Sequence, residues 1–236
     1  MRARGFTLFE CLLGLSLSLF IVCACLGFFG AAQKSYFKLK DKEEAAQSAL
    51  AALDKMSVDI LRAGEGLVLP VAVGLIEAVA ESGGGLQIVR GERSYELSAD
   101  VGTGDTRIQL AATTDLKPGR EVCFVGDGNA EVHIVASVEP KAIVIAEPAG
   151  RAYALGKTSV LLLEKNLLTL DSSQGILRRK VNLSSAQPLL ENAAEAGFFV
   201  DRTANLVRVR LRLNSQGDAA YELQLFPKNA ALAGRG

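Results

Sequence analysis

Hydrophobic and polar residues follow three different patterns along the chain. Residues 11–32 carry no charged side chain, and a run of this length is sufficient to cross a bilayer as a helix. Residues 34–62 contain neither Pro nor Gly, and their apolar positions recur every three to four residues, as on one face of a helix. These positions are Ala46, Leu50, Leu53, Met56 and Ile60. After Gly64 the chain consists of short apolar runs between turn residues, which is typical of strands.

The first two patterns predict one long helix from Phe6 to Ala63, of about 87 Å at 1.5 Å per residue. Gly64 is a natural helix stop. The charges of Asp54, Lys55 and Asp59 are expected mostly off the apolar face. Half of such a helix must pack outside a single domain, and the other half on the domain itself.

The third pattern predicts a β-rich head. The predicted strands are Leu67–Val73, Leu86–Arg90, Tyr95–Ser98, Thr106–Leu110, Glu121–Val125, Glu131–Val138, Ala142–Glu147, Ser159–Glu164, Ile176–Val181, Leu206–Leu213 and Ala220–Phe226. Residues 101–164 have closely spaced turns, of which Gly126-Asp127-Gly128-Asn129 is the strongest, and predict an inserted, small β-barrel-like subdomain. The predicted fold class is α+β, with the long helix packed on an antiparallel sheet.

A carboxylate lies at the front of the apolar run. The basic stretch Met1-Arg2-Ala3-Arg4 precedes Gly5-Phe6-Thr7-Leu8-Phe9-Glu10. An acidic side chain near the hydrocarbon core of a membrane is costly, so Glu10 is a candidate functional residue.

This start resembles the prepilin signature of type IV pilins and type II secretion pseudopilins. The resemblance implies that prepilin peptidase cleaves after Gly5, that Phe6 becomes the N-terminus and is methylated, and that Glu10 acts in assembly. The phrases Asp59-Ile60-Leu61-Arg62-Ala63-Gly64 and Leu189-Leu190-Glu191-Asn192 are similar to phrases of PilW-like minor pilins. A minor pilin or pseudopilin is therefore the expected function.

The resemblance implies four parts of the chain. Residues 1–5 are the leader, 6–33 the transmembrane and filament-core helix, 34–64 the amphipathic half, and 65–236 the periplasmic head with its insert at about 101–164. The implied location is the bacterial inner membrane, by a single span, and then a pilus or pseudopilus. The implied partners are prepilin peptidase, other pilins or pseudopilins, the inner-membrane assembly platform, and membrane lipid before assembly.

The charges around the apolar run do not settle its orientation. Two arginines precede the run, and four lysines follow it: Lys34, Lys38, Lys40 and Lys42. Counting positive charges would leave the orientation ambiguous or reversed. The resemblance implies that the leader stays in the cytoplasm and the head is exported.

Other N-terminal segments remain open at this point. Gly30-Ala31-Ala32 fits the cleavage site of a secretory signal, and Val22-Cys23-Ala24-Cys25 partly matches a lipoprotein signal. A plain membrane anchor is the third alternative. None of the three explains Glu10. The alternative function is a membrane-anchored periplasmic module that binds a ligand in its inserted β subdomain.

Composition narrows the function further. The 236 residues carry 26 basic and 26 acidic side chains and no Trp. The sequence therefore shows neither the basic stripe nor the aromatic stacking platform of a nucleic-acid-binding protein, and no nucleic-acid partner is expected. No nucleophile or acid–base constellation and no phosphate loop is recognisable, and the chain is not expected to be an enzyme or to need a cofactor.

Two side chains of the head are singular in the sequence. Cys123 is the only cysteine outside the apolar run, and it is expected to be a buried strand residue without a disulfide. His133 is the only histidine, and it is expected on a strand surface or in a hairpin.

Two polar groups in the head invite a binding interpretation. Asp127, Asn129 and Glu131 offer fewer oxygens than the six to eight that calcium takes, so a tight turn is favoured and no metal is predicted. The second polar group is the row of arginines in Leu206–Leu213, where arginines alternate with apolar residues. This row is expected to be a solvated sheet face, paired with acids on a neighbouring strand.

Overall fold

The structure is a computed structural model that describes residues 7–214 and 220–233, with side chains up to residue 230. The predicted leader and cleavage site, Gly5 and Phe6, lie outside the described residues. The chain divides into two compact units, Met1–Gln47 and Ser48–Gly236.

Helices and antiparallel strands together make up the described part, in agreement with the predicted α+β class. The helices are α1 (Leu8–Leu61), α2 (Val68–Ala72) and α3 (Lys228–Ala233). The strands are β1 (Val79–Ser82), β2 (Gly85–Glu96), β3 (Arg107–Gln109), β4 (Glu121–Gly126), β5 (Asn129–Glu139), β6 (Ala142–Ile145), β7 (Thr158–Asp171), β8 (Ile176–Val181), β9 (Gln187–Leu190), β10 (Ala193–Asp201), β11 (Leu206–Leu213) and β12 (Ala220–Leu225).

Helix α1 confirms the predicted long helix and continues without a break through its glycines at 14, 27 and 30. Within the second unit one face of α1 is buried: Ala49, Ala52, Leu53, Met56, Asp59 and Ile60. The spacing of these residues is that of a helix face packed on a domain. Leu50, which was predicted on this face, is 57% exposed, and Ala49 takes its place.

The main sheet has the strand order β1-β2-β7-β4-β5-β6-β3, and β8 and β9 extend it beside β7. Strand β7 pairs with β2 along one side. On its other side β7 pairs with β4 as far as Leu162 and with β8 from Asn166 onward. Residue 164, the predicted end of the insert, lies between these two positions, so β7 runs on where the neighbouring strand changes.

The region of the predicted insert has its own apolar core. Large side chains that are fully buried there include Phe124, Ile108, Leu110, Ile143, Ile145 and Leu162. Within the described residues the strands do not form a closed barrel. Strand β3 has three residues and pairs with β6, and a single bridge between Leu97 and Leu110 joins the end of β2 to the residue after β3.

A second sheet has the order β10-β11-β12. Strand β11 buries Val207, Val209, Leu211 and Leu213 on one face. Strand β10 contacts β1, β2, β7 and β8, so the buried face of this sheet belongs to the same head as the main sheet.

Several predicted elements are wrong or incomplete. The segment 67–73, predicted as a strand, contains helix α2 (Val68–Ala72), because a short apolar run fits either element and Pro70 is tolerated in the first turn of a helix. The two strands predicted at 86–90 and 95–98 are one strand, β2, with a bulge between Gly91 and Arg93. Strands β1, β9 and β10 were not predicted, whereas β8 and β11 have the predicted bounds.

Candidate processing and assembly site

Thr7 and Glu10 form a capping box at the start of α1. The backbone N–H and the hydroxyl of Thr7 both donate to Glu10 Oε2, at 3.0 and 2.9 Å. The backbone N–H of Glu10 is 3.3 Å from Thr7 Oγ1 and donates to it. These reciprocal bonds satisfy donors that a helix start otherwise leaves without partners.

This geometry defines the position of the Glu10 carboxylate. Oε2 accepts both bonds from Thr7, and among the described residues Oε1 accepts none. A negative charge in the first helical turn is favoured by the helix dipole. The carboxylate is thus held at the helix start with one oxygen open to a further donor.

The surface of α1 on both sides of Glu10 is apolar and exposed. Leu8, Phe9, Phe20 and Phe28 are each more than 70% exposed, and most residues around them are exposed as well. In the described part of the chain, α1 is the one helix that has the length and composition to cross a membrane. An apolar surface of this extent needs a nonpolar environment, either lipid or other helices.

The last turns of α1 are joined to the head by a buried ion pair. Arg179 of β8 donates from Nε and Nη2 to the two carboxylate oxygens of Asp59, at 2.6 and 3.0 Å. The side chain of Asp59 is 8% exposed. Asp59 was predicted to lie off the buried face, and this was wrong because a two-bond pair with arginine compensates the carboxylate for the loss of water.

The chain after α1 is attached to β2 through its backbone. The Gly64 N–H donates to Val89 O and the Gly91 N–H donates to Glu65 O, both at 2.8 Å. Gly64 has a φ of +74°, and a Cβ there would lie 3.2 Å from the Cβ of Ala78. The predicted stop at Gly64 is therefore a left-handed residue three positions after the helix end, where the chain turns onto the sheet.

A second buried charge cluster lies on β2 and β7. Arg90 donates to both carboxylate oxygens of Glu164, at 2.9 and 2.8 Å, and Asn166 Nδ2 donates to Glu164 Oε1 at 3.1 Å. Burial raises the pKa of the Glu164 carboxyl, but the hydrogen bonds and charge of Arg90 outweigh burial and hold that pKa below its ordinary value. Glu164 is thus a charged residue in the folded head at neutral pH.

His133 and Glu131 are structural residues of the hairpin formed by β4 and β5. His133 lies in a hairpin, one of its two predicted positions, but it is 8% exposed and packs against the ring of Phe124 and is therefore not a surface residue. Its Nε2 lies 3.2 Å from Glu131 Oε2, which also accepts the backbone N–H of Gly150 at 3.0 Å.

The turn between β4 and β5 has the backbone of a tight hairpin. Asp127 and Gly128 have φ values of +48° and +76°, and Asn129 Nδ2 donates to Asp127 O at 3.2 Å. No cluster of three or more His, Cys, Asp or Glu residues suited to a metal occurs among the residues that the structure describes.

Cys123 and the arginine row have the predicted environments. Cys123 is fully buried in β4, and burial raises the pKa of its thiol to about 12. In the row, Arg210 pairs with Glu222 of β12 at 3.7 Å and Arg212 pairs with Glu195 of β10 at 3.4 Å.

Sequence reasoning missed two parts of this site. The capping function of Thr7 was recognisable, because Thr-x-x-Glu before an apolar run is the signature of a capping box. The pairing of Asp59 with Arg179 had no local signal, since the two residues are 120 positions apart.

Comparisons with known proteins add little to this picture. No protein-family model matches the chain, and no curated protein matches it. Solved structures with partial similarity are the Pseudomonas phage phi297 tailspike gp61 (21% identity, TM-score 0.28) and the Gp54 tailspike of Acinetobacter baumannii bacteriophage AP22 in complex with capsular saccharide (14%, 0.29). Another is the phage phi92 endosialidase (14%, 0.21).

The alignments cover 31%, 33% and 64% of this chain, respectively. They span only 14%, 15% and 32% of the three phage proteins. At these TM-scores the similarities carry no argument about the fold or function of this chain.

Proposed function

We propose that this protein is a minor pilin or pseudopilin, a structural subunit of a type IV pilus or type II secretion-like filament. The observation that carries the proposal is the Thr7–Glu10 capping box, which opens a helix that is apolar and exposed at first and buried against a β-rich head in its last turns. A capping box suits the start of any helix, so the proposal rests on its combination with the exposed apolar surface that follows and with a carboxylate oxygen that Thr7 leaves open.

The proposed processing step is cleavage of the Gly5–Phe6 bond by prepilin peptidase, followed by methylation of the Phe6 amine. Cleavage leaves the capping box intact, because both donors to Glu10 belong to Thr7 and not to the leader. The mature chain then has a positive amine at Phe6 and a carboxylate one helical turn later.

In the proposed assembly step, Glu10 meets the Phe6 amine of a neighbouring subunit. Oε2 stays bonded to Thr7, and Oε1 accepts the incoming amine. An unpaired charge in an apolar filament core is costly, and this pairing offsets that cost only at one axial offset between helices. Thr7 is a positioning residue in this step.

Mass spectrometry of the mature N-terminus tests the processing step. We expect a chain that begins with methylated Phe6, and an uncleaved precursor for Gly5→Val. A chain that begins at Met1 would refute the proposal and favour the anchored ligand-binding module. A chain that begins near Gln33 would refute it as well and identify the apolar run as a secretory signal.

Co-purification with filament partners tests the assembly step. Glu10→Ala should be cleaved and inserted normally but incorporated poorly, because neither cleavage nor insertion needs the carboxylate. Thr7→Val should lose part of the incorporation and Thr7→Ser should restore it, since Ser keeps the hydroxyl. Asp54→Ala removes an exposed acid from the same helix and is the matched control.

A further inference from the structure

The segment that follows the apolar run combines aromatic and basic side chains. Tyr36 and Phe37 are 64% and 50% exposed, and their rings meet edge to face with centroids 5.9 Å apart. Lys34 and Lys38 are exposed on the same helix, one turn apart, and neither has an ion-pair partner among the described residues.

The charges along this segment are ordered. The first acid after the apolar run is Asp41, and Lys40 already pairs with Glu44 at 3.7 Å. Uncompensated positive charge is therefore concentrated at Lys34 and Lys38, nearest to the end of the apolar run.

The position of the segment determines what surrounds it. If residues 11–32 cross the bilayer, the next residues lie at the level of the headgroups, where aromatic rings are favoured. Lysine side chains extend along the helix and place their ammonium groups among the headgroups. Anionic lipids attract exposed lysines at this level, with an energy that falls off within a Debye length.

We infer that Lys34, Tyr36, Phe37 and Lys38 form an interfacial anchor that binds the anionic headgroups of the leaflet next to the head. The inference rests on the proposed membrane insertion of α1, and it adds the chemical class of the lipid and the residues that recognise it.

The anchor has a consequence for Glu10. From Glu10 to Lys34 the helix rises about 36 Å, compared with about 30 Å for the hydrocarbon core. With Lys34 held at one headgroup layer, the Glu10 carboxylate lies at the opposite interface and not inside the hydrocarbon. The anchor thus sets the depth from which a subunit is recruited.

The absence of Trp from the chain provides a direct test. The full-length protein, carrying Tyr36→Trp as its only tryptophan, is reconstituted in phosphatidylcholine vesicles that contain phosphatidylglycerol. A small fraction of the lipid is brominated, either as phosphatidylglycerol or as phosphatidylcholine, and quenching of the Trp fluorescence is compared. Phe37→Trp is an independent second reporter.

We expect brominated phosphatidylglycerol to quench several-fold more strongly than brominated phosphatidylcholine. The reason is that each lysine enriches the anionic lipid around the segment by up to about fivefold at low salt. The difference should disappear in about 1 M salt and in the Lys34→Gln/Lys38→Gln double variant. Lys55→Gln/Lys180→Gln removes the same charge from exposed positions outside the segment and should keep the difference.

Each other outcome overturns a defined statement. Equal quenching by the two lipids overturns the anchor but leaves membrane insertion intact. A phosphatidylglycerol preference that survives the Lys34/Lys38 double variant overturns the assignment to these residues. Absence of quenching by either lipid, with both reporters, overturns membrane insertion and therefore the proposed function as well.

Discussion

Removing Arg179 should destabilise the head more than removing Asp59, although either change breaks the ion pair between them. Arg179→Ala leaves the Asp59 carboxylate without a partner at 8% exposure, whereas Asp59→Ala leaves the Arg179 side chain at 20% exposure. Breaking a buried pair costs about 3–5 kcal/mol, and we expect Arg179→Ala to lie in this range. Arg179 reaches water more easily, so Asp59→Ala should cost about 1.5–3 kcal/mol, the value of hydrogen bonds to a charged group.

Urea unfolding of a fragment that begins at Ser48, followed by circular dichroism, measures these costs. The double variant should be destabilised by clearly less than the sum of the single variants, because either single change already removes the pair. Asp54→Ala, an exposed acid of the same helix, should change the free energy of unfolding by less than about 0.5 kcal/mol. The reasoning is refuted if the two single changes are additive, or if Asp59→Ala is the more costly.

Three further predictions concern the head. Folding lowers the pKa of Glu164, so its charge stabilises the head at pH values above the unfolded pKa of about 4.5, and this stabilisation is lost as the pH falls through the folded pKa. The difference in free energy of unfolding between the native chain and Glu164→Gln, measured by urea titration, should therefore shrink in acid. In the Ser48–Gly236 fragment, the buried thiol of Cys123 should resist alkylation at neutral pH and react once urea unfolds the chain, and rapid alkylation of the folded fragment would contradict its burial. Gly85→Ala should destabilise the head strongly, because its Cβ would lie 2.1 Å from Leu168 O, whereas Gly197→Ala meets its nearest neighbour at 3.9 Å and should be tolerated in thermal melts.

Strands with regular alternation were predictable from the sequence. β11 has the predicted bounds because valine and leucine alternate strictly with arginine over residues 206–213. β10 was missed because residues 193–197 read Ala-Ala-Glu-Ala-Gly, which has little intrinsic strand preference. This segment is a strand because β11 supplies its backbone partners, and that information is tertiary.

The candidate site was predictable where its signals are local. Glu10 and the apolar run stand out in the sequence, and the capping geometry of Thr7 follows from residue types three positions apart. The buried face of α1 was predicted in part, since Leu53, Met56 and Ile60 are buried as expected. Leu50 is exposed, and the buried residues Ala49, Ala52 and Asp59 were not predicted. Asp59 was missed because its burial depends on Arg179 of β8, which has no local signal in the sequence.

The pairing of segments that are far apart in sequence determines the order in which the head can fold during synthesis. Leu86 of β2 is paired with Leu168 of β7. The partner of Asp59, Arg179, is synthesised 120 residues after it. Contacts between residues so far apart in sequence form slowly, because closing the long loop between them costs conformational entropy before the contact can stabilise the chain. The end of α1 that carries Asp59 is among the first parts of the head to be synthesised, and its ion pair cannot form until β8 has also been synthesised.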